Sequence, residues 1–392
     1  MIDRLSASEC VLCGSCGDAC PVSAISFTKD YLDFRYPQID AAVCTQCNLC
    51  EKACPVLNLR EADPQAQHRV YAAQNPDGEI RRRSTSGGIF RGLAAAILDQ
   101  GGYVCGAVFE DHFRVRHLVS NRQEDIDAMM GSKYAQSDLT GVYQEIRKLL
   151  RADQLVLFTG CPCQVAGLHQ FLGRAWDNLI TAEVICHGVP SQTMFQSYLQ
   201  LQEQKYRAKA ETISFRDKKY GWHRSAVRIQ FANGVEYCMP ITADAYMKGF
   251  LGGIYLKESC YDCRFKEFSS GSDLTLGDFW GVEARRPELD DNIGLSAVIA
   301  NSEKGAQLLH RCGMDLWDDQ LDAVIRYNRN LMVPTKRSPE RDTFYTDAKA
   351  RGYVRVIKDR LMESPVQKLC REGRYLLRCI LYAVTGRGKP LY

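Results

Sequence analysis

The sequence lacks the features that mark a membrane, secreted or nucleic-acid-binding chain. It has no run of eighteen apolar residues, so no spanning helix is expected. Its first ten residues, MIDRLSASEC, hold no apolar leader segment, which argues against secretion and gives a cytoplasmic location by default. Excess charge is small: 50 Lys and Arg stand against 47 Asp and Glu, a formal net charge of +3. With the basic residues dispersed, no nucleic-acid partner is expected. No G-x-G-x-x-G follows an apolar strand, which argues against a nicotinamide dinucleotide.

Cysteine is plentiful instead, with 18 among 392 residues. In a reducing compartment, clustered cysteines are more often metal ligands than disulfides. Cys10, Cys13, Cys16 and Cys20 precede Pro21, and Cys44, Cys47, Cys50 and Cys54 precede Pro55. Each run reads C-x2-C-x2-C-x3-C-P, the pattern of bacterial ferredoxins with two [4Fe-4S] clusters. In that pattern three close thiolates wrap one cubane and the fourth crosses to the other. Cys10, Cys13, Cys16 and Cys54 are therefore assigned to one cluster, and Cys44, Cys47, Cys50 and Cys20 to the second. A structural zinc site is the alternative, but zinc usually takes two C-x2-C pairs rather than two identical four-cysteine runs. Such clusters carry single electrons and suit a cell with little oxygen. Residues 24–27 and 33–39 read as the two strands of this α+β ferredoxin-like domain, residues 1–60.

Residues 60–69 are polar and read as a linker. Beyond them, residues 61–340 read as a mixed α/β domain. Apolar strands are expected at 70–73, 102–109, 155–158 and 182–186, with helices at 89–98 and 165–171. Residues 212–216, 226–231 and 234–238 read as antiparallel strands, with a turn at Asn233-Gly234. Thr85-Ser86-Gly87-Gly88 stands before a helix, where backbone N–H groups suit a phosphate or a flavin edge. A plain helix cap explains it equally well. Cys161 and Cys163 follow one expected strand and Cys186 ends another, where ligands of open α/β sheets gather. With Cys260 and Cys263 they allow a third [4Fe-4S] cluster, although free cysteines are also common buried apolar residues. Residues 341–392 read as a helical segment. Its part from 366 to 384 mixes Leu, Ile and Tyr with Arg371, Arg374 and Arg378, as in a helix resting on a membrane or packed on protein.

Together these motifs resemble the β-subunit family of coenzyme F420 hydrogenases and dehydrogenases, in the bacterial form with a fused ferredoxin domain. The resemblance rests on Thr85-Ser86-Gly87-Gly88, Gly131-Ser132-Lys133-Tyr134 with Gln136-Ser137, and Gly160-Cys161-Pro162-Cys163-Gln164. Cys186-His187-Gly188-Val189-Pro190-Ser191 and the stretch from Cys260 to Gly281 complete it. It implies an FAD enzyme with a cluster of its own held by Cys163, Cys186, Cys260 and Cys263. Many members carry threonine in place of Cys161, so Cys163 is the better ligand. The flavin is expected against Thr85, Ser86, Gly87, Gly88, Lys133, Tyr134 and Ser137, with Thr159, Gly160, Asp273, Gly277 and Asp278.

A flavin joins one-electron donors to two-electron chemistry. The expected route therefore runs from a ferredoxin or another redox protein, through the clusters and flavin, to a small organic substrate. His187, Lys133 and Tyr134 are the candidate proton donors. The competing expectations are a relay subunit without substrate chemistry and a sensor with structural clusters.

Overall fold

The computed structural model describes residues 2–30, 32–61 and 67–364, with 366, 369, 370, 373, 374, 376 and 377 beyond them. Residues 62–66 of the expected linker, and most of the expected helix at 366–384, lie outside the described residues. The chain forms two compact units. One holds residues 1–192 and 256–336, and the other holds 193–255 and 337 onward.

In the first unit the cysteine runs flank a hairpin, β1 (Ile25–Lys29) antiparallel to β2 (Arg35–Ile39). Next come β3 (Arg69–Gln74), β4 (Tyr103–Phe109), β5 (Val115–Ser120), β6 (Val156–Gly160) and β7 (Leu179–Val184). The second unit supplies β8 (Ala210–Asp217), β9 (Ala226–Phe231) and β10 (Glu236–Pro240). The chain then returns with β11 (Leu274–Asp278), β12 (Ser296–Ala300) and β13 (Asp315–Asp319). The eight body strands form one sheet in the order β13-β3-β12-β11-β7-β6-β4-β5.

Pairing fixes the directions. β11, β7, β6 and β4 are mutually parallel, while β12, β13 and β5 run against their neighbours. β3, β11, β7, β6 and β4 thus end at one common edge. Their apolar runs reflect burial on both faces. Leu157, Val104 and Val108 pack under the helix Ile89–Leu98, whereas Val156, Phe158 and Cys105 pack under the helices Val142–Arg151 and Pro162–Leu172.

Sequence reading places 212–238 in the body domain, but β8–β10 pair only with one another, in the order β10-β9-β8. Gly234, with φ 78°, makes the expected hairpin turn. Beside them, buried Asp244 accepts the hydroxyls of Tyr198 at 2.6 Å and Tyr237 at 2.8 Å. The helices Arg341–Arg351 and Tyr353–Arg360 belong to this unit. Among the described residues no helix is long and apolar enough to cross a membrane.

Candidate functional site

The two cysteine runs share a backbone device. Leu12 and Gly14 have positive φ in the first run, and Gln46 and Asn48 have it thirty-four residues later. Left-handed residues curl each loop back on itself, and only one of the four is the glycine that tolerates this at no steric cost. Cys10, Cys13, Cys16 and Cys54 are buried. Burial pushes the Cys10 thiol up to about 11, Cys13 adding to the rise, and holds Cys16 well above its ordinary range, where Cys13, Cys10 and Cys54 raise it further. These four are mutual neighbours across the two runs, in the crossed arrangement read from the spacing. Cys20, Cys44, Cys47 and Cys50 line a depression of about 370 Å³ with Val22, Ala24, Ile25 and Ile39. Four sulfurs around an apolar hollow are the donor set a [4Fe-4S] cluster takes, since a bound metal deprotonates thiols that burial alone keeps neutral. Cys47 is exposed, and the Leu49 N–H lowers its pKa.

A third group of thiols forms in the body. β6 ends at Gly160, Cys161 caps the helix Pro162–Leu172, and Cys163 lies in its first turn. The Gln164 side chain completes a capping box by accepting the Cys161 N–H at 2.8 Å. Cys186 follows β7, and Cys260 ends a short 3-10 helix, Glu258–Cys260. Cys186 is held below the ordinary thiol range by a hydrogen bond from the Cys161 thiol, with Lys266, the Gly188 N–H and Lys257 assisting against burial. Burial raises Cys163 and Cys260, and the Lys257 ammonium opposes both rises. Cys263 is pushed up to about 11 by burial, beside Cys186 and Cys260. Cys161 belongs to this group spatially, as a fifth thiol. All cysteines among the described residues are free, and no three His, Cys, Asp or Glu among them converge as a single metal ion requires.

The body thiols abut the ferredoxin thiols. A Cβ on Gly167, in the helix that carries Cys163, would lie 3.0 Å from the Cys13 sulfur. Ser259 Oγ donates to the Cys10 carbonyl at 3.0 Å, and Lys257 Nζ donates to the Val11 carbonyl. Val11, Cys13, Cys16, Cys54, Ala166 and Phe265 share one apolar cluster.

Most of the expected flavin contacts gather at the common strand edge. Gly88 caps the helix Ile89–Leu98 with φ 82° and no side-chain cap, leaving its first amides for a ligand. Thr85 Oγ1 and Ser132 Oγ are 3.0 Å apart, which joins the 85–88 turn to the 131–134 loop. Ser86 Oγ donates to the Leu295 carbonyl at 2.7 Å, and the Gly87 N–H to Ser296 Oγ at 2.9 Å. Thr159 Oγ1 donates to the Cys105 carbonyl at 2.9 Å, and Ser137 Oγ accepts from Gln164 Nε2 at 2.9 Å. Gly277 and Asp278 end β11 at the same edge.

Asp273 does not join them. It precedes β11 at the opposite edge, five residues or about 17 Å along an extended strand from Asp278. Its carboxylate is taken up there by the Thr181 N–H at 2.8 Å and Ser302 Oγ at 2.6 Å. Lys133 Nζ donates to the carbonyls of Ala128 at 2.8 Å, Met130 at 2.9 Å and Gly131 at 3.2 Å, and burial lowers its pKa to about 7. It braces its own loop. His187 follows Cys186, its Nδ1 3.4 Å from Asn330 Oδ1 and its carbonyl accepting from Thr335 Oγ1 at 2.5 Å. Tyr134 lies half-buried in the 131–134 loop region.

Several residues at the site went unread in the sequence. His117 is buried on β5, with Nε2 3.0 Å from the Thr159 carbonyl and Nδ1 without a partner. Burial lowers its pKa to about 4. Lys257 and Lys266 are isolated lysines whose role appears only once the thiols converge.

The doubled cysteine run in the bacterial ferredoxin pattern, with its thiols brought together as neighbours, defines an iron–sulfur electron-transfer protein. Residues 9–58 match the 4Fe-4S dicluster domain. Residues 70–144 match the N-terminal part, and residues 153–315 the C-terminal part, of the coenzyme F420 hydrogenase/dehydrogenase beta subunit. These last two matches span more than half of the chain, which belongs to that family of oxidoreductase subunits. No curated protein matches the sequence. Among solved structures, the F420-reducing [NiFe] hydrogenase complex from Methanosarcina barkeri, in a xenon-derivatised form, has a chain 17% identical. The match covers 81% of this chain and 96% of that one, with a TM-score of 0.44.

Proposed function

We propose that the protein is a cytoplasmic flavin-linked iron–sulfur oxidoreductase that draws electrons from a ferredoxin or another redox protein and reduces a small organic substrate. The observation that carries this reading is the contiguity of the thiols. The outer set (Cys20, Cys44, Cys47, Cys50) lies beside the inner set (Cys10, Cys13, Cys16, Cys54), which abuts the body set (Cys163, Cys186, Cys260, Cys263) through Gly167, Ser259 and Lys257. A contiguous row of this kind suits charge moving along it.

The body set stands at the strand edge that also bears the flavin contacts. The amides at the start of the helix Ile89–Leu98, with Thr85, Ser86, Gly87 and Gly88, would hold a phosphate of FAD. Lys133, Tyr134, Ser137, Thr159, Gly160, Gly277 and Asp278 would line the rest. A bound flavin supplies the step from single electrons to hydride. Tyr134 and His187 are the proposed proton donors, while Lys133 is engaged with three carbonyls.

Iron and flavin analysis of protein purified without air tests the proposal. About twelve irons and one flavin per chain are expected, since each cubane holds four. About eight irons without flavin would replace it with a relay subunit that does no substrate chemistry.

A further inference from the structure

Lys257 is 1% exposed, and among the described residues its chief charged neighbours are cysteines, with no Asp or Glu among them. Its ammonium has one hydrogen-bond acceptor, the carbonyl of Val11, between Cys10 and Cys13. A buried charge without a counter-charge is costly, so a cation is retained in such a place only where an anion faces it. The groups that face it are sulfur. Cys260, Cys163 and Cys10 are the neighbours that interact most strongly with it, one from the inner ferredoxin set and two from the body set. The backbone holds it between them. The Lys257 N–H donates to the Val189 carbonyl at 2.9 Å, and the Lys257 carbonyl accepts the Cys260 N–H at 2.9 Å.

We infer that Lys257 is a positioning residue for electron transfer, a fixed positive charge shared by the inner ferredoxin cluster and the body cluster that makes both easier to reduce. A cluster ligated by four thiolates is anionic and gains one further negative charge on reduction, so a nearby cation favours the reduced form. One charge serving two clusters shifts both in the same sense and so leaves the driving force between them little changed. Among the described residues no buried lysine is placed in this way beside the outer set. Its exposed Cys47 senses Lys52 instead. The inference rests on the proposed body cluster.

The test is a potentiometric titration of anaerobic full-length protein, followed by low-temperature paramagnetic resonance, with iron content measured alongside. Lys257→Gln keeps a donor for the Val11 carbonyl and removes the charge. It should retain about twelve irons, and two of the three midpoints should fall. The expected fall is at least tenfold in the one-electron reduction equilibrium, about 59 mV, with the third midpoint unmoved. Lys257→Arg should restore both. Full iron with all midpoints unchanged in Lys257→Gln overturns the inference and leaves the proposed function standing. Loss of iron or of folding in both variants makes the lysine a packing element and also overturns it. About eight irons in the unsubstituted protein defeats the proposed function, and this inference with it.

Discussion

The carboxylate of Asp18, in the ferredoxin segment, accepts the Tyr143 N–H at 2.9 Å at the start of the helix Val142–Arg151. Its other oxygen accepts the Gly141 N–H at 2.7 Å. Gly141 is the cap position of that helix and offers no side chain, so the cap is supplied from 123 residues away. Asp18→Ala should therefore cost about 1–2 kcal/mol, the usual range for a lost cap. The thermal midpoint of the anaerobic holoprotein should fall, and proteolysis near residues 60–69 should speed up. An unchanged midpoint would show that the cap does not hold the segment in place.

The five body thiols are not equivalent. Under the proposed function, Cys163→Ser should remove about four irons and slow reduction of the proposed flavin, leaving the ferredoxin clusters intact. Cys161→Ser should keep its iron, because the serine hydroxyl still caps the helix Pro162–Leu172. Iron analysis and resonance spectra of the two variants distinguish them. Full iron in Cys163→Ser would remove that residue from the ligand set.

Gly167 marks a close approach of the body to the inner set. An added methyl would meet Cys13 Cβ at 2.8 Å. Gly167→Ala should destabilise the protein by about 1–3 kcal/mol through overpacking. It should also broaden or shift the resonance signal of the inner cluster while sparing the outer one. Identical spectra and an identical thermal midpoint would mean that the helix moves aside freely.

Two buried groups make opposite contributions to the pH dependence of stability. Burial raises Glu183 to about 7, against hydrogen bonds from Ser270, Thr275 and Ser272. Between its ordinary 4.5 and about 7 the folded state holds the extra proton, so stability falls as pH rises through that window. His117 does the reverse. With its pKa lowered from 6.5 to about 4, the unfolded state holds the extra proton, and stability rises with pH through that window. Glu183→Gln should therefore leave a thermal midpoint that climbs between about pH 4 and 6.5, and His117→Asn one that declines between about pH 4.5 and 7. Parallel curves for both variants and the parent would refute the assignment.

The sequence showed what spacing and periodicity can encode. The doubled cysteine run reads as paired clusters because the geometry of a cubane is local. β4, β6 and β7 read as strands because burial on both faces leaves unbroken apolar runs. β13 (Asp315–Asp319) carries three aspartates at the sheet margin and has no such signature. Asp273 reads as part of the pocket because it adjoins Gly277 and Asp278 in sequence, but an extended strand carries it to the far edge. Gly167 beside Cys13, Asp18 at Tyr143 and Lys257 between two sets of sulfur are long-range meetings that no local pattern records.

The hollow bounded by Cys20, Cys44, Cys47 and Cys50 opens beside exposed Val22, Val43 and Leu49, whereas the inner four cysteines are buried. The two sets of ferredoxin thiols thus differ in access, one open to solvent and one enclosed. Under the proposed route, a donor protein docking at this face would meet the outer thiols first.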